Sequence, residues 1–183
     1  MKKVYVFLAD GFEEIEGLTV VDILRRAGVE TVTVSVMGRK DVMGSHAIPV
    51  RADMVFEEAD MSDADMLVLP GGMPGTIHLK EHEGLRKLLG DAHSRGVHLA
   101  AICAAPTVLG DLGFLREKKA CCYPSFEEQL DCAQVCRVPV VTDGDVTTGR
   151  GMGAAIPFAL ELTGILCGEE KAGEVKAGIV YEG

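Results

Sequence analysis

The sequence contains no tryptophan, and aromatic residues make up only 5% of its 183 positions. Base-stacking platforms for single-stranded nucleic acid are built from such residues, so that class of function is not expected. Positive charge is also scarce: 18 Lys and Arg against 28 Asp and Glu give a formal net charge of −10. A nucleic-acid backbone would be repelled on average, and no nucleic-acid partner is expected. No apolar run is long enough to span a membrane, which takes about 18 residues. The opening "MKKVYVFLADGFEE" has two lysines and then a short apolar run, but acidic residues follow at once. It does not read as a secretory signal, and the expectation is a cytoplasmic protein. The six cysteines lack the spacing of a small secreted disulfide framework. No histidine follows Cys103, so a nucleophile–base pair using a downstream His is excluded.

What is present suits one α/β domain over 1–183: 48% hydrophobic residues and 22 glycines. "KVYVFLA" (3–9), "ETVTVSVMG" (30–38), "DMLVLPGG" (65–72) and 97–102 read as buried strands. Residues 13–28 carry a helical stripe through Ile15, Leu18, Val21 and Leu24, closed by two arginines and Gly28. Helices are also expected over 76–95, 105–113 and 153–168, and hairpins over 41–56 and 139–149. The end, "KAGIVYEG", reads as a last strand. Strands alternating with helices predict a doubly wound, mainly parallel sheet.

In such a sheet, ligands bind beyond the carboxyl ends of the strands. Three loops there carry chemistry: Asp10-Gly11 to Glu16, Gly71-Gly72 and Cys103-Ala104. Cys103 begins a strand-to-helix turn among small residues, with Pro106 near the first helical position. A helix N-terminus aimed at the sulfur would lower its pKa and favour thiolate. A buried structural cysteine is the competing reading.

Together, "LAAICAAP", "VLPGGMPG" and "LADGFEEIEGLTVVDILRRAG" resemble the ThiJ/PfpI family, in the branch containing Parkinson disease protein 7. The resemblance covers nearly the whole chain, in order. It implies a flavodoxin-like three-layer sandwich and a homodimer. The reactive cysteine would be Cys103, and its partner Glu16, the last glutamate of an E-E-x-E run. Without the resemblance, Glu13, Glu14 and Glu16 are not distinguished. Backbone donors of Gly72 and Ala104 would line an oxyanion site, with Gly71, Tyr123, Arg150, Gly151 and His46 at the rim. A buried glutamate beside a sulfur should have a raised pKa and could shuttle protons.

Departures from the family pattern narrow the chemistry. Tyr123 stands where many relatives carry His, and Ala104 where protease-like relatives do. Peptidase activity is therefore not expected, and the His-x-Glu of glutamine amidotransferases is absent. His46 lies near where close relatives place an arginine that approaches from the second subunit.

Other signals are set aside. His78 to His82 matches H-x-x-E-H, but the segment is polar and no third ligand is evident, so no metal is expected. His98 lies about 17 Å along its strand from Cys103, and His93 reads as exposed. "GRGMGA" (149–154) opens a late helix rather than following the first strand, which favours backbone packing over dinucleotide binding. Cys132 and Cys136 lack a second ligand pair. Cys121 or Cys122 could resolve an oxidised Cys103.

The expectation is a cofactor-independent enzyme acting on methylglyoxal-type aldehydes or early glycation adducts. The alternatives are a redox sensor or chaperone-like protein working through Cys103, and an amidase-like hydrolase. A thiazole-biosynthesis label carried by relatives finds no chemical support in these residues.

Overall fold

The computed structural model describes residues 1–183. In chain order the first half runs β1 (Lys3–Leu8), α1 (Glu14–Arg26), β2 (Glu30–Ser35), β3 (Asp41–Met43), β4 (Pro49–Arg51), β5 (Met54–Val55), β6 (Met66–Leu69), α2 (Gly75–Glu81) and α3 (Glu83–Ser94). The second half runs β7 (His98–Ile102), α4 (Pro106–Asp111), β8 (Lys119–Ala120), β9 (Gln134–Val135), β10 (Val140–Asp143), β11 (Val146–Gly149), α5 (Ala155–Cys167) and α6 (Glu169–Gly178). Seven strands form the central sheet in the order β10-β11-β7-β6-β1-β2-β5. All neighbours are parallel except β10 and β11. This is the doubly wound, mainly parallel sheet that the strand pattern predicted, in the flavodoxin-like arrangement that the resemblance implied.

Period-two alternation explains why the central strands are apolar throughout. From β1, Tyr5 and Phe7 enter one buried layer, with Leu79, Leu85 and Leu89 of α2 and α3. Val4, Val6 and Leu8 enter the other, with Val20 and Leu24 of α1 and Phe158 and Leu162 of α5. Each such side chain contributes about 1.5–3 kcal/mol on burial. With both faces covered, the open chemistry is left to the loops at the strand ends.

Several expectations need correction. The C-terminal "KAGIVYEG" is not a strand. Gly168, at φ +90°, turns the chain into α6, whose first turn carries Glu169 and Glu170. Ala172, Val175 and Ile179 then recur at helical spacing, with Val175 and Ile179 packed on the α1–α5 layer. Residues 76–95 form two helices, because His82 is extended and its Nδ1 accepts the Leu85 amide at 3.0 Å to cap α3. Within 41–56, only β3 and β4 make the hairpin; β5 joins the central sheet beside β2. The small parallel pair β8–β9 had no clear signal in the sequence.

Candidate active site at the strand ends

β1 lies between β2 and β6, so its outgoing connection and that of β6 wind in opposite directions. The crevice between them is the switch point of the sheet. The loops after β1 and β6 interlock there: the Glu13 amide donates to the Gly71 carbonyl at 2.9 Å. A Cβ on Gly11 would lie 2.3 Å from Pro74 Cδ, so only glycine permits this approach.

α1 starts at once, which puts Glu16 in its first turn, where it is 1% exposed. Its Oε2 accepts the Gly71 amide at 2.9 Å, while its buried Oε1 has no hydrogen-bond partner. Cys103 follows β7 directly, at φ +64°, a conformation rarely held by a residue with a Cβ. Two hydrogen bonds hold that backbone: the Cys103 amide donates to Gly149 O at 3.0 Å, and Tyr123 N donates to Cys103 O at 2.8 Å. Gly71 lies between Cys103 and the acid. A Cβ there would stand 2.6 Å from Cys103 Cβ and 2.7 Å from Glu16 Oε2.

The amides of Gly72 and Ala104 both face the Cys103 sulfur. Two threonines brace these residues: Thr76 Oγ1 donates to Gly72 O at 2.9 Å and Thr107 Oγ1 to Ala104 O at 2.7 Å. Neither threonine stands out in the sequence, because a hydroxyl one helical turn from its acceptor has no distinctive spacing.

The electrostatics correct the expected low thiol pKa. Burial pushes Glu16 up to about 7, against the opposing effects of the Cys103 thiol and the Gly71 amide. Burial and the Glu16 charge push the Cys103 thiol up to about 12, and the two amides offset only part of this. The helix N-terminus alone therefore does not make a thiolate. The two groups form a pair that sheds its first proton near neutrality and resists losing the second. Moving that proton to Glu16 puts the negative charge on sulfur, facing two amides.

The remaining residues divide into two places. Tyr123, Arg150 and Gly151 line one cavity of about 460 Å³ with Pro139 and Met152, beside the elbow. His46 instead meets α1: its Nδ1 is 3.0 Å from Glu14 Oε2 and 3.4 Å from Glu13 Oε2. These three side chains put possible ligand atoms within 4.8 Å of one another. Glu14 is already satisfied there, since its Oε1 accepts the His46 amide at 2.8 Å. Elsewhere His98 meets Thr147 at 2.9 Å, and His93 stacks on Phe114 at 4.3 Å. His82 caps α3 through its Nδ1.

The DJ-1/PfpI family model matches residues 2–164. Protein dj-1beta of Drosophila melanogaster is 37% identical over 181 residues, covering 98% of this chain and 97% of the relative. Protein DJ-1 homolog B of Arabidopsis thaliana is 38% identical, but this chain spans only 41% of its length. A Pyrococcus abyssi protein named as a deglycase is 32% identical over 90% of this chain and 99% of its own. Among solved structures, oxidized Toxoplasma gondii DJ-1 superposes with a TM-score of 0.96 at 34% identity, covering 100% of both chains. Drosophila DJ-1beta gives 0.94 at 37% identity, covering 98% of this chain and 97% of that one. The strand-end crevice, its elbow cysteine and these likenesses over the whole sheet agree: the chain belongs to the DJ-1/PfpI family.

Proposed function

We propose that this protein is a cysteine-dependent enzyme that converts 2-oxoaldehydes such as methylglyoxal, or the early adducts they form with amines and thiols, into hydroxy acids. The observation that carries this reading is the Cys103–Glu16 pair, brought together around Gly71 with one proton to share near neutral pH.

The Cys103 thiolate adds to the aldehyde carbon, and protonated Glu16 gives its proton to the carbonyl oxygen, leaving a hemithioacetal. Gly72 and Ala104 amides hold the developing oxyanion. The Glu16 carboxylate then takes the C1 hydrogen as a proton, the electron pair shifts toward the C2 carbonyl, and the C1 hydroxyl proton passes to the C2 oxygen, leaving an enediolate with its charge on the C1 oxygen. Glu16 returns a proton to C2, which gives a thioester of the hydroxy acid. Water displaces Cys103 and releases the acid. C1 is oxidised and C2 reduced within one molecule, so the overall conversion balances with water alone.

Steady-state turnover of methylglyoxal tests this, with lactate as the product measured. Cys103→Ala and Glu16→Ala should each abolish turnover. Unchanged turnover in Cys103→Ala would overturn the reading.

A second reading is favoured by the relative solved in an oxidized state and by the partial exposure of Cys103. Two equivalents of peroxide would carry the sulfur to a sulfinic acid, with its oxygens on the same two amides and on protonated Glu16. Selective gain of two oxygens on Cys103, without any aldehyde turnover, would favour this sensor role.

The proposed assembly is a homodimer. Ile15, Leu18, Ile48 and Val180 are exposed around an apolar groove of about 660 Å³ along α1. A second copy offering the same helix would cover both grooves at once. Leu18→Glu should halve the mass seen by sedimentation; an unchanged mass would remove this surface as the interface.

A further inference from the structure

The thiols of Cys121 and Cys136 take no part in the site above, yet the fold sets them side by side. The β8–β9 ladder pairs Lys119 with Gln134 and Ala120 with Val135. Cys121 and Cys136 are the next pair in that register. The Cys136 amide donates to Ala120 O at 2.8 Å, which carries the ladder one residue further. Neighbouring strands lie about 4.8 Å apart, inside the roughly 4.4–6.8 Å Cα separation that a disulfide spans. Side chains at matched positions also leave the ladder on the same face. Cys122, one residue on, turns the other way into the layer with Leu115 and Leu130. Burial raises the Cys121 thiol, and charge on the nearby Cys136 adds to that.

Their environments suit a two-step oxidation. Cys136 is half-buried and open to solvent; Cys121 is fully buried, with its sulfur donating to Thr148 O at 3.2 Å. The ladder between them is two pairs long, and its Gln134 and Val135 are exposed. A short, exposed edge can adjust to disulfide geometry, in which the Cβ atoms stand roughly 3.8 Å apart.

We propose that Cys121 and Cys136 form a second redox site, closing a reversible disulfide under peroxide without help from Cys103. Peroxide oxidises the Cys136 thiolate to a sulfenic acid. The Cys121 sulfur then attacks the sulfenic sulfur, the S–S bond forms, and the oxygen leaves as water with the Cys121 proton. One peroxide is reduced to two waters while two thiols lose two electrons. The short ladder has to adjust to close the bond, which leaves it readily reduced by a dithiol.

The test uses the full chain carrying Cys103→Ser, treated with mild peroxide and then alkylated. Intact mass should show two hydrogens lost and two fewer alkylated thiols, reversed by dithiothreitol. Cleavage after Glu128 separates Cys121 and Cys122 from Cys132 and Cys136, so the disulfide should hold the two peptides together. The cross-link should vanish in Cys121→Ser and, independently, in Cys136→Ser, a variant at a partly exposed position. It should persist in Cys122→Ser and Cys132→Ser. A cross-link that survives Cys136→Ser, one that needs Cys103, a bond confined to Cys132 and Cys136, or oxygen addition without cross-linking would each overturn the proposal.

Discussion

Glu14 and Glu16 stand two residues apart in the first turn of α1, both buried, and yet titrate on opposite sides of the ordinary range. Burial acts to raise Glu14, but its own amide, the His46 side chain and the amides of His46 and Ile48 outweigh it and hold the carboxyl at about 2. Burial wins at Glu16, which has a single amide partner and rises to about 7. The lesson lies in the number of donors. The β3–β4 turn wraps Glu14 with N–H groups, whereas the loops around Glu16 leave one oxygen bare beside a thiol. One glutamate fastens a hairpin to a helix; the other keeps a mobile proton.

The sharpest way to break this contrast is Glu16→Gln, which keeps the shape and removes the proton carrier. Turnover of methylglyoxal should fall by about a thousandfold or more. In the parent protein kcat/KM should rise with pH through an apparent pKa near 7, as the pair loses its first proton; the variant should lack that limb. Gly71→Ala comes next. Its new methyl group would enter the 2.6 Å and 2.7 Å gaps beside Cys103 and Glu16. It should cost about 1–3 kcal/mol in urea denaturation, by the usual scale of overpacking, and slow alkylation of Cys103.

Stability should separate the two acids in sign. The folded protein holds the Glu16 proton from its ordinary 4.5 up to about 7. Stability from this group is therefore present below pH 4.5 and lost as pH rises through 7, a loss of about 3 kcal/mol. Glu16→Gln should thus melt a few degrees higher than the parent at pH 8, with the gap closing toward pH 4. Glu14 has the reverse sign. Its stabilisation is present above 4.5 and lost as pH falls toward about 2. Glu14→Gln should cost about 1–2 kcal/mol at pH 7. His46→Ala should have the smallest effect, since the imidazole is largely exposed. Calorimetry across pH checks all three.

The sequence made the sheet legible because β1, β6 and β7 are buried on both faces and carry unbroken apolar runs. The three chemical loops followed from where those runs stop. Choosing Glu16 over Glu13 and Glu14 took the family resemblance, since spacing alone does not separate them. All three open the same helix, and only the position of the Gly71 amide, 55 residues away in sequence, sets one apart. Likewise a helix N-terminus behind Cys103 is visible in Pro106, but the opposing cost of burial depends on packing from other loops. "KAGIVYEG" misled because an apolar pair near a chain end fits either period, and the helix is set by Ala172 and Val175 upstream.

Gly71 leaves only a hydrogen between the Glu16 carboxylate and the Cys103 Cβ, and in the proposed reaction Glu16 would reach the carbon bound to Cys103 from that side. A proton returned to a flat enediolate from one direction creates one mirror-image form. Lactate made by this protein should therefore be a single enantiomer, resolvable on a chiral column, and a racemic product would mean that the proton came from bulk water.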